Sequence, residues 1–203
     1  MKRISLAPDI SYTFSDYFKL EATTEEVLEY FAVTTAVGAV PLPQSSVNLD
    51  RLDNLLARLE ENFSAVSLTS EIARREFLIA PVIAEVAHYA KARVRVEYAV
   101  NLNLKLKGTI DYFLRSHNSL LIVEAKNADL TKGFTQMATE LLALDLLLEE
   151  DEAALVYGAV STGDIWRFGV LDRARRHITQ DINSFRVPQD TAALLRSLIG
   201  ILE

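Results

Sequence analysis

Three residues stand at a spacing that can do chemistry. Asp111 lies inside the apolar run Ile110–Leu114, and Glu124 and Lys126 close the next apolar run, Leu120–Val123. A short polar turn, Ser116–Ser119, separates the runs, so the segment reads as a β-hairpin. Side chains alternate along a strand, which puts Glu124 and Lys126 on one face and Ala125 on the other. Asp111 on the neighbouring strand can lie beside them. Two carboxylates with an ammonium suit a hard divalent cation, because Mg²⁺ takes one or two protein carboxylates plus waters and phosphate oxygens. Phosphodiester hydrolysis is the chemistry such a site supports: a metal can polarise the phosphate and acidify a bound water. Lys126 can deprotonate or orient that water, or stabilise the developing negative charge. A base would need a pKa well below about 10.4, and adjacent carboxylates push it the other way, which favours charge stabilisation.

The elements that must position these residues can be read from the periodicities. Residues 67–92 read as a helix capped by Thr69 or Ser70, with Ile72, Phe77, Ile79, Ile83 and Val86 on its apolar faces. Pro81 inside it predicts a kink or a split. Glu71 then sits in the first turn, where the helix dipole alone favours a carboxylate; Glu76 and Glu85 are weaker candidates on the same segment. From Arg93 the period becomes two, with Val94, Val96, Tyr98 and Val100 on one face. Leu102, Leu104 and Leu106 continue the alternation past a turn at Asn101–Asn103, which makes the stretch either a hairpin or a bulged strand. After Lys126 a loop leads into a helix over 131–149, with Gln136, Glu140 and Ala143 on one side and Met137, Leu141, Leu144 and Leu148 as its core stripe. Strands are expected at 154–162 and 165–171, a sheet extension at 173–178, and an amphipathic helix at 191–202. Upstream, residues 1–20 read as irregular or strand-like. Helices are expected at 25–36, capped by Thr24, and at 49–62, with a loop at 38–46 between them. The order predicts an α/β fold, a central mixed sheet flanked by helices. Residues 1–66 are expected as an N-terminal helical extension packed on the core, and residues 67–203 as the α/β domain.

Asp111, Glu124 and Lys126 resemble the signature of the PD-(D/E)xK nuclease superfamily: an acidic residue, a short gap, then Glu-x-Lys at the end of the next strand. Ile110 stands where the namesake motif has Pro. Gln136 in the following helix adds to the likeness. Glu71, opening EIARREFLIAPVIAEV with Pro81 ten residues on, together with IDYFL and VEAK, resembles the N-terminal nuclease domain of type I restriction enzyme motor subunits. The likeness spans roughly Ser70 to Trp166. It implies a restriction-endonuclease-like core and a Mg²⁺ (or Mn²⁺) ion held by Asp111, Glu124 and the Ala125 carbonyl. It also implies that Gln136 orients the water or contacts the substrate backbone, and that Glu71 assists metal or water. Without the resemblance, Gln136 reads as a solvated helix residue. DNA is the implied partner, and a homodimer is natural for cutting both strands.

Composition narrows the alternatives. The 203 residues include no cysteine and three scattered histidines, which excludes disulfides and thiolate zinc sites and argues against a histidine metal centre. The N-terminus lacks the apolar core of a signal peptide and no apolar run reaches membrane-spanning length, so a soluble cytoplasmic protein without a membrane partner is expected. The formal net charge of −7 argues against strong non-specific nucleic-acid binding, which rests on Lys and Arg. Acidic residues cluster at Glu21–Glu29 and Glu149–Glu152. Basic residues cluster at Arg74-Arg75, at Lys91, Arg93 and Arg95, and at Arg173, Arg175 and Arg176; each cluster also reads as an ordinary solvated face. The leading function is therefore a metal-dependent DNA endonuclease. The alternative is a non-catalytic nucleic-acid or protein-binding module with the same fold, favoured by the acidic balance. Only the first requires metal at Asp111 and Glu124. A small-molecule enzyme ranks last, since there is no Gly-rich phosphate loop, Gly-x-Ser-x-Gly elbow or histidine pair.

Overall fold

The computed structural model describes residues 6–7, 9–116, 119–149 and 152–203. It is an α/β structure built on one mixed eight-stranded sheet with helices on both faces. The strands are β1 (Thr34–Gly38), β2 (Arg93–Asn101), β3 (Lys107–Arg115), β4 (Leu120–Ala125), β5 (Leu155–Ser161), β6 (Ile165–Asp172), β7 (His177–Asp181) and β8 (Phe185–Arg186). The spatial order is β1–β7–β6–β5–β4–β3–β2, with β8 pairing only to β6. The pairs β1/β7 and β4/β5 are parallel and the others antiparallel. The helices are α1 (Phe14–Lys19), α2 (Thr24–Tyr30), α3 (Leu52–Ala65), α4 (Glu71–Arg74), α5 (Ala80–Ala90), α6 (Leu130–Asp145) and α7 (Thr191–Leu202). Among the described residues no helix is long and apolar enough to cross a membrane.

Strand β4 is buried along its whole length, as expected for a central strand covered on both faces. On one face Leu121, Val123 and Ala125 pack with Trp166 and Phe168 under α3, α5 and α7. On the other, Leu120 and Ile122 pack with Val156, Val160 and Leu171 under α6. Helix α6 is buried from Gly133 to Leu144, its polar residues included. Two sheet glycines let it come this close. A Cβ on Gly169 would lie 2.6 Å from Cε2 of Phe134, and one on Gly158 would lie 2.7 Å from Sδ of Met137. Asp129 caps α6, its carboxylate accepting from the backbone N–H groups of Thr131 and Lys132.

The N-terminal third departs from the expectation. Residues 14–19 are helical, started by the Asp16 carboxylate accepting from the Thr13 N–H at 2.8 Å. The turn buries Phe14 and Tyr17, and the Tyr17 hydroxyl donates to the Lys105 carbonyl at 2.8 Å. Helix α2 is capped by Thr23 rather than Thr24 and stops at Tyr30 instead of running to residue 36. The β-branched Thr34 and Thr35 that follow form β1, which pairs with β7 in parallel. Residues 34–38 thus belong to the sheet rather than to a helical extension.

Residues 102–106 form the turn of an antiparallel β2–β3 hairpin rather than a bulged strand. The Asn103 side chain accepts from the N–H groups of Lys105 and Leu106, and so takes the place of a strand partner. The expected sheet extension begins only at His177, after a turn in which Arg176 has φ +48°. The centre of the expected turn Ser116–Ser119, residues 117–118, lies outside the described residues, as do 1–5, 8 and part of the acidic cluster, 150–151.

The helix expected at 67–92 is split into α4, a π-helical turn (Arg75–Ile79) and α5. Pro81 has no N–H to donate and crowds the carbonyl four residues back, that of Phe77. The chain widens there, the Ala80 N–H reaching back to Arg75, and Asn62 Nδ2 donates to the Phe77 carbonyl at 2.7 Å.

Closeness of α6 to the sheet can be tested at Gly169. The substitution Gly169→Ala overpacks the Phe134 ring, and it should lower unfolding free energy by about 1–3 kcal/mol in urea titrations followed by Trp166 fluorescence. An unchanged midpoint would show that α6 has room to spare.

Candidate active site

Strands β3 and β4 part at the site. Their ladder runs from Arg115↔Leu120 to Tyr112↔Val123 and stops. One residue further, the Asp111 side chain takes the ladder's place, its Oδ2 accepting from the Ala125 N–H at 2.9 Å. Strand β4 keeps its pairing with β5 to Ala125↔Ser161, and the Lys126 N–H donates to the Ser161 carbonyl at 2.8 Å. The N–H and C=O of one strand residue face the same neighbour. The Ala125 carbonyl therefore turns to the Asp111 side.

Behind this gap lies a buried polar cluster. Glu124 is 2% exposed, Gln136 3% and Glu140 0%. Glu124 Oε1 accepts from Lys126 Nζ and from Gln136 Nε2, each at 2.5 Å. Gln136 Nε2 also donates to Glu140 Oε1 at 3.0 Å. The Lys126 ammonium sits 5.3 Å from the centre of the Phe18 ring, a cation–π contact supplied by α1. Burial pushes the Glu124 carboxyl well above the usual carboxylate range, and Glu140 and Asp111 push it further while Lys126 pulls it back. Glu140 is pushed up to about 7 by burial, against the pull of its Gln136 hydrogen bond. For Lys126, burial alone would lower the pKa; the attraction of Glu124, then of Glu71 and Asp111, outweighs it and raises the group above its ordinary value.

The third side of the site comes from α4 and the π-turn. Ser70 caps α4 by accepting from the Ala73 N–H, and Glu71 is the first helical residue. Its Oε2 lies 4.0 Å from Lys126 Nζ. Four residues later Arg75, 19% exposed, places Nη1 3.3 Å from Asp111 Oδ1 and Nη2 3.2 Å from Glu97 Oε1. The Tyr112 hydroxyl donates to the Arg75 carbonyl, which fastens the π-turn to β3.

All six residues singled out from the sequence, Glu71, Asp111, Glu124, Ala125, Lys126 and Gln136, thus meet at one place. Gln136 is buried against Glu124 rather than solvated. The weaker candidates lie elsewhere. Glu76 is exposed beside Arg75, and Glu85 is buried in the opposite core, 3.3 Å from Arg51. Two participants have no assigned role in the sequence reading. Glu140 enters there only through its four-residue spacing from Gln136. Arg75 is visible only as half of a basic pair, although its place four residues after Glu71 puts both on one helical face.

Four carboxylates, Glu71, Asp111, Glu124 and Glu140, face one ammonium and one guanidinium. Three buried acceptor atoms, Glu124 Oε2, Gln136 Oε1 and Glu140 Oε2, have no hydrogen-bond partner among the described residues. Clustered carboxyl groups with orphaned acceptor atoms fit a divalent cation, whose charge would favour the carboxylate form that burial disfavours. Among the described residues no three His, Cys, Asp or Glu side chains converge as a metal cage. Two carboxylates and a carbonyl leave room for the waters and phosphate oxygens that Mg²⁺ retains. No protein-family model matches the chain, and no curated protein matches it.

The buried carboxyls give stability a definite pH dependence. Glu140 titrates near 4.5 when unfolded and about 7 when folded. Its contribution is complete below about pH 4.5 and is lost as pH rises through about 7. In metal-free buffer the protein should lose up to roughly 3 kcal/mol of unfolding free energy from this group between about pH 5 and 8. Glu140→Gln should lose distinctly less across that window in urea titrations; identical pH profiles would overturn the assignment.

Proposed function

We propose that this chain is a metal-dependent DNA endonuclease of the PD-(D/E)xK superfamily, with a restriction-endonuclease-like core. One observation carries the reading: carboxylates of two parting strands, Asp111 and Glu124, lie beside the Lys126 ammonium and the Ala125 carbonyl. Asp111, Glu124 and the Ala125 carbonyl would hold Mg²⁺ or Mn²⁺, which supplies Lewis-acid polarisation of the phosphate and a more acidic water.

The rest is done by the chain's own groups. Lys126 keeps its proton at neutral pH, because the carboxylates around it outweigh its burial. Its role is to stabilise negative charge on the phosphate, not to abstract a proton. Gln136 holds Glu124 in place with Nε2, and its buried Oε1 has no partner among the described residues. Glu71, half exposed at the mouth, is placed to orient the attacking water. Arg75 lies between Asp111 and solvent, where it can meet a phosphate oxygen. A homodimer would bring two such centres to the two strands of a duplex.

A second reading has its own observation. Both Asp111 oxygens are already engaged, by Arg75 and by the Ala125 N–H, and Glu124 Oε1 is held twice. Such internal satisfaction suits a binding module that keeps the fold and takes no metal, as does the net charge of −7.

Cleavage of supercoiled plasmid and of single-stranded DNA with Mg²⁺ or Mn²⁺ separates the two. Lys126→Ala should lower the rate by about 10²–10³-fold, the scale for removing one group that stabilises transition-state charge, and Asp111→Ala should abolish cutting. No cutting by the wild type, with no divalent uptake by calorimetry, would leave the binding module.

A further inference from the structure

The basic cluster Lys91, Arg93 and Arg95 takes no part in the candidate active site. It lies at the other end of the β2–β3–β4 hairpins, four residues along β4 from Glu124, roughly 13 Å away at the rise of a strand. There it lines a cleft of about 810 Å³ together with Tyr98, Phe113 and Arg115, closed on one side by the end of α6. The volume is that of a small-ligand site.

The cations are held together against their own repulsion. Arg93 and Arg115 are direct cross-strand partners, and Arg95 follows two residues on, opposite Phe113. Like charges directly opposite each other destabilise a sheet. Among the described residues Arg115 has one acidic partner, Glu152 at 2.7 Å, while Lys91, Arg93 and Arg95 have none. The third basic cluster behaves differently. Arg173 is spent on Asp145 and on backbone carbonyls, Arg175 pairs with Asp172, and Arg176 approaches Asp145.

The same cleft has an aromatic wall. Glu97, at φ +52°, interrupts the alternation of β2, and Tyr98 comes to lie on Phe113, ring centres 4.9 Å apart and 19° from parallel. The Arg95 guanidinium covers the Tyr98 ring at 5.2 Å. A guanidinium over an aromatic ring can take a base on its outer side, and the cations beside it suit a phosphate.

We propose that this cleft binds a nucleotide, its phosphate among Arg93, Arg95 and Arg115 and its base against the Arg95–Tyr98 stack. The nucleotide is either free or one unit of a single-stranded nucleic acid. The inference needs no hydrolysis and no metal, and stands apart from the reading of the Asp111 site.

The test is made in EDTA at low salt, so that metal chemistry at Asp111 cannot contribute. Two probes are titrated: adenosine monophosphate by calorimetry, and a labelled oligothymidylate of about ten nucleotides by fluorescence anisotropy, a length within the range of single-strand sites. The exposed side chains are removed together in Arg93→Ala/Arg95→Gln, and Arg175→Ala serves as a control that removes a cation elsewhere. The double variant should weaken binding at least about 10-fold and reduce the salt slope by roughly 0.7 for each phosphate it no longer neutralises, with the control unchanged. Binding of both probes, of the oligonucleotide alone or of the mononucleotide alone supports the cleft and identifies the source of its ligand. Binding of neither probe, or binding equally affected by the control, overturns it. Urea midpoints of the double variant and the wild type are compared alongside, and an unchanged midpoint separates weaker binding from unfolding.

Discussion

Taking a carboxylate out of water costs several kcal/mol, and the cost is recovered only where opposite charge and hydrogen bonds surround it closely. Glu124 sits at the end of a strand buried on both faces, so the surrounding structure has to supply both. One ammonium and one amide do so on a single oxygen, Oε1, while Oε2 has no partner among the described residues. Each partner depends in turn on another element. Lys126 is placed by the continued pairing of β4 with β5 and is covered by Phe18 of α1. Gln136 reaches Glu124 only because α6 lies close on Gly158 and Gly169. The carboxyl cluster and the packing of α6 are therefore one constraint: a helix lifted off the sheet would leave Glu124 with the ammonium alone.

The two ends of the β3–β4 hairpin have opposite electrostatic character. Among the described residues carboxylates outnumber cations around Glu124, and at the far end cations outnumber carboxylates around Arg93 and Arg115. A net charge of −7 hides this division. The apolar stretch Leu120–Val123 separates the ends and keeps each from neutralising the other. Charges that a fold holds apart in this way retain their attraction for mobile partners, cations at one end and anions at the other.

The hairpin and its charges are legible in the sequence because they break a pattern. Carboxylates are rare in strands as apolar as IDYFL and LLIVEA, so Asp111 and Glu124 stand out from their neighbours. Features set by tertiary pairing are not legible. Thr34–Gly38 continues a helical pattern locally and becomes β1 through its partner β7, seen in no window around it. Helix α1 spans six residues, too few for a periodic signal, and is fixed by where Phe14 and Tyr17 can bury. The place of Arg75 depends on the π-turn, whose cause, Pro81, is visible while its consequence for side-chain direction is not. Tyr98 reaches its cleft through the left-handed Glu97, a residue type with no preference for that conformation.

The balance at Lys126 also restricts where a proton can go. A buried lysine loses its proton readily when burial acts alone, and such a group can serve as a base. Here Glu124 at 2.5 Å, Glu71 at 4.0 Å and the Asp111 carboxylate all favour the ammonium, and their attraction exceeds the effect of burial. In the hydrolytic reading the proton released by an attacking water therefore needs another acceptor. Glu124 and Glu140 are enclosed within the protein. Asp111 is engaged on both oxygens. Glu71 is the most exposed carboxylate of the cluster, and it faces the ammonium from the open side. In that proposed reading Lys126 would hold charge and Glu71, on the open side, would receive the proton, the first turn of α4 setting the distance between them.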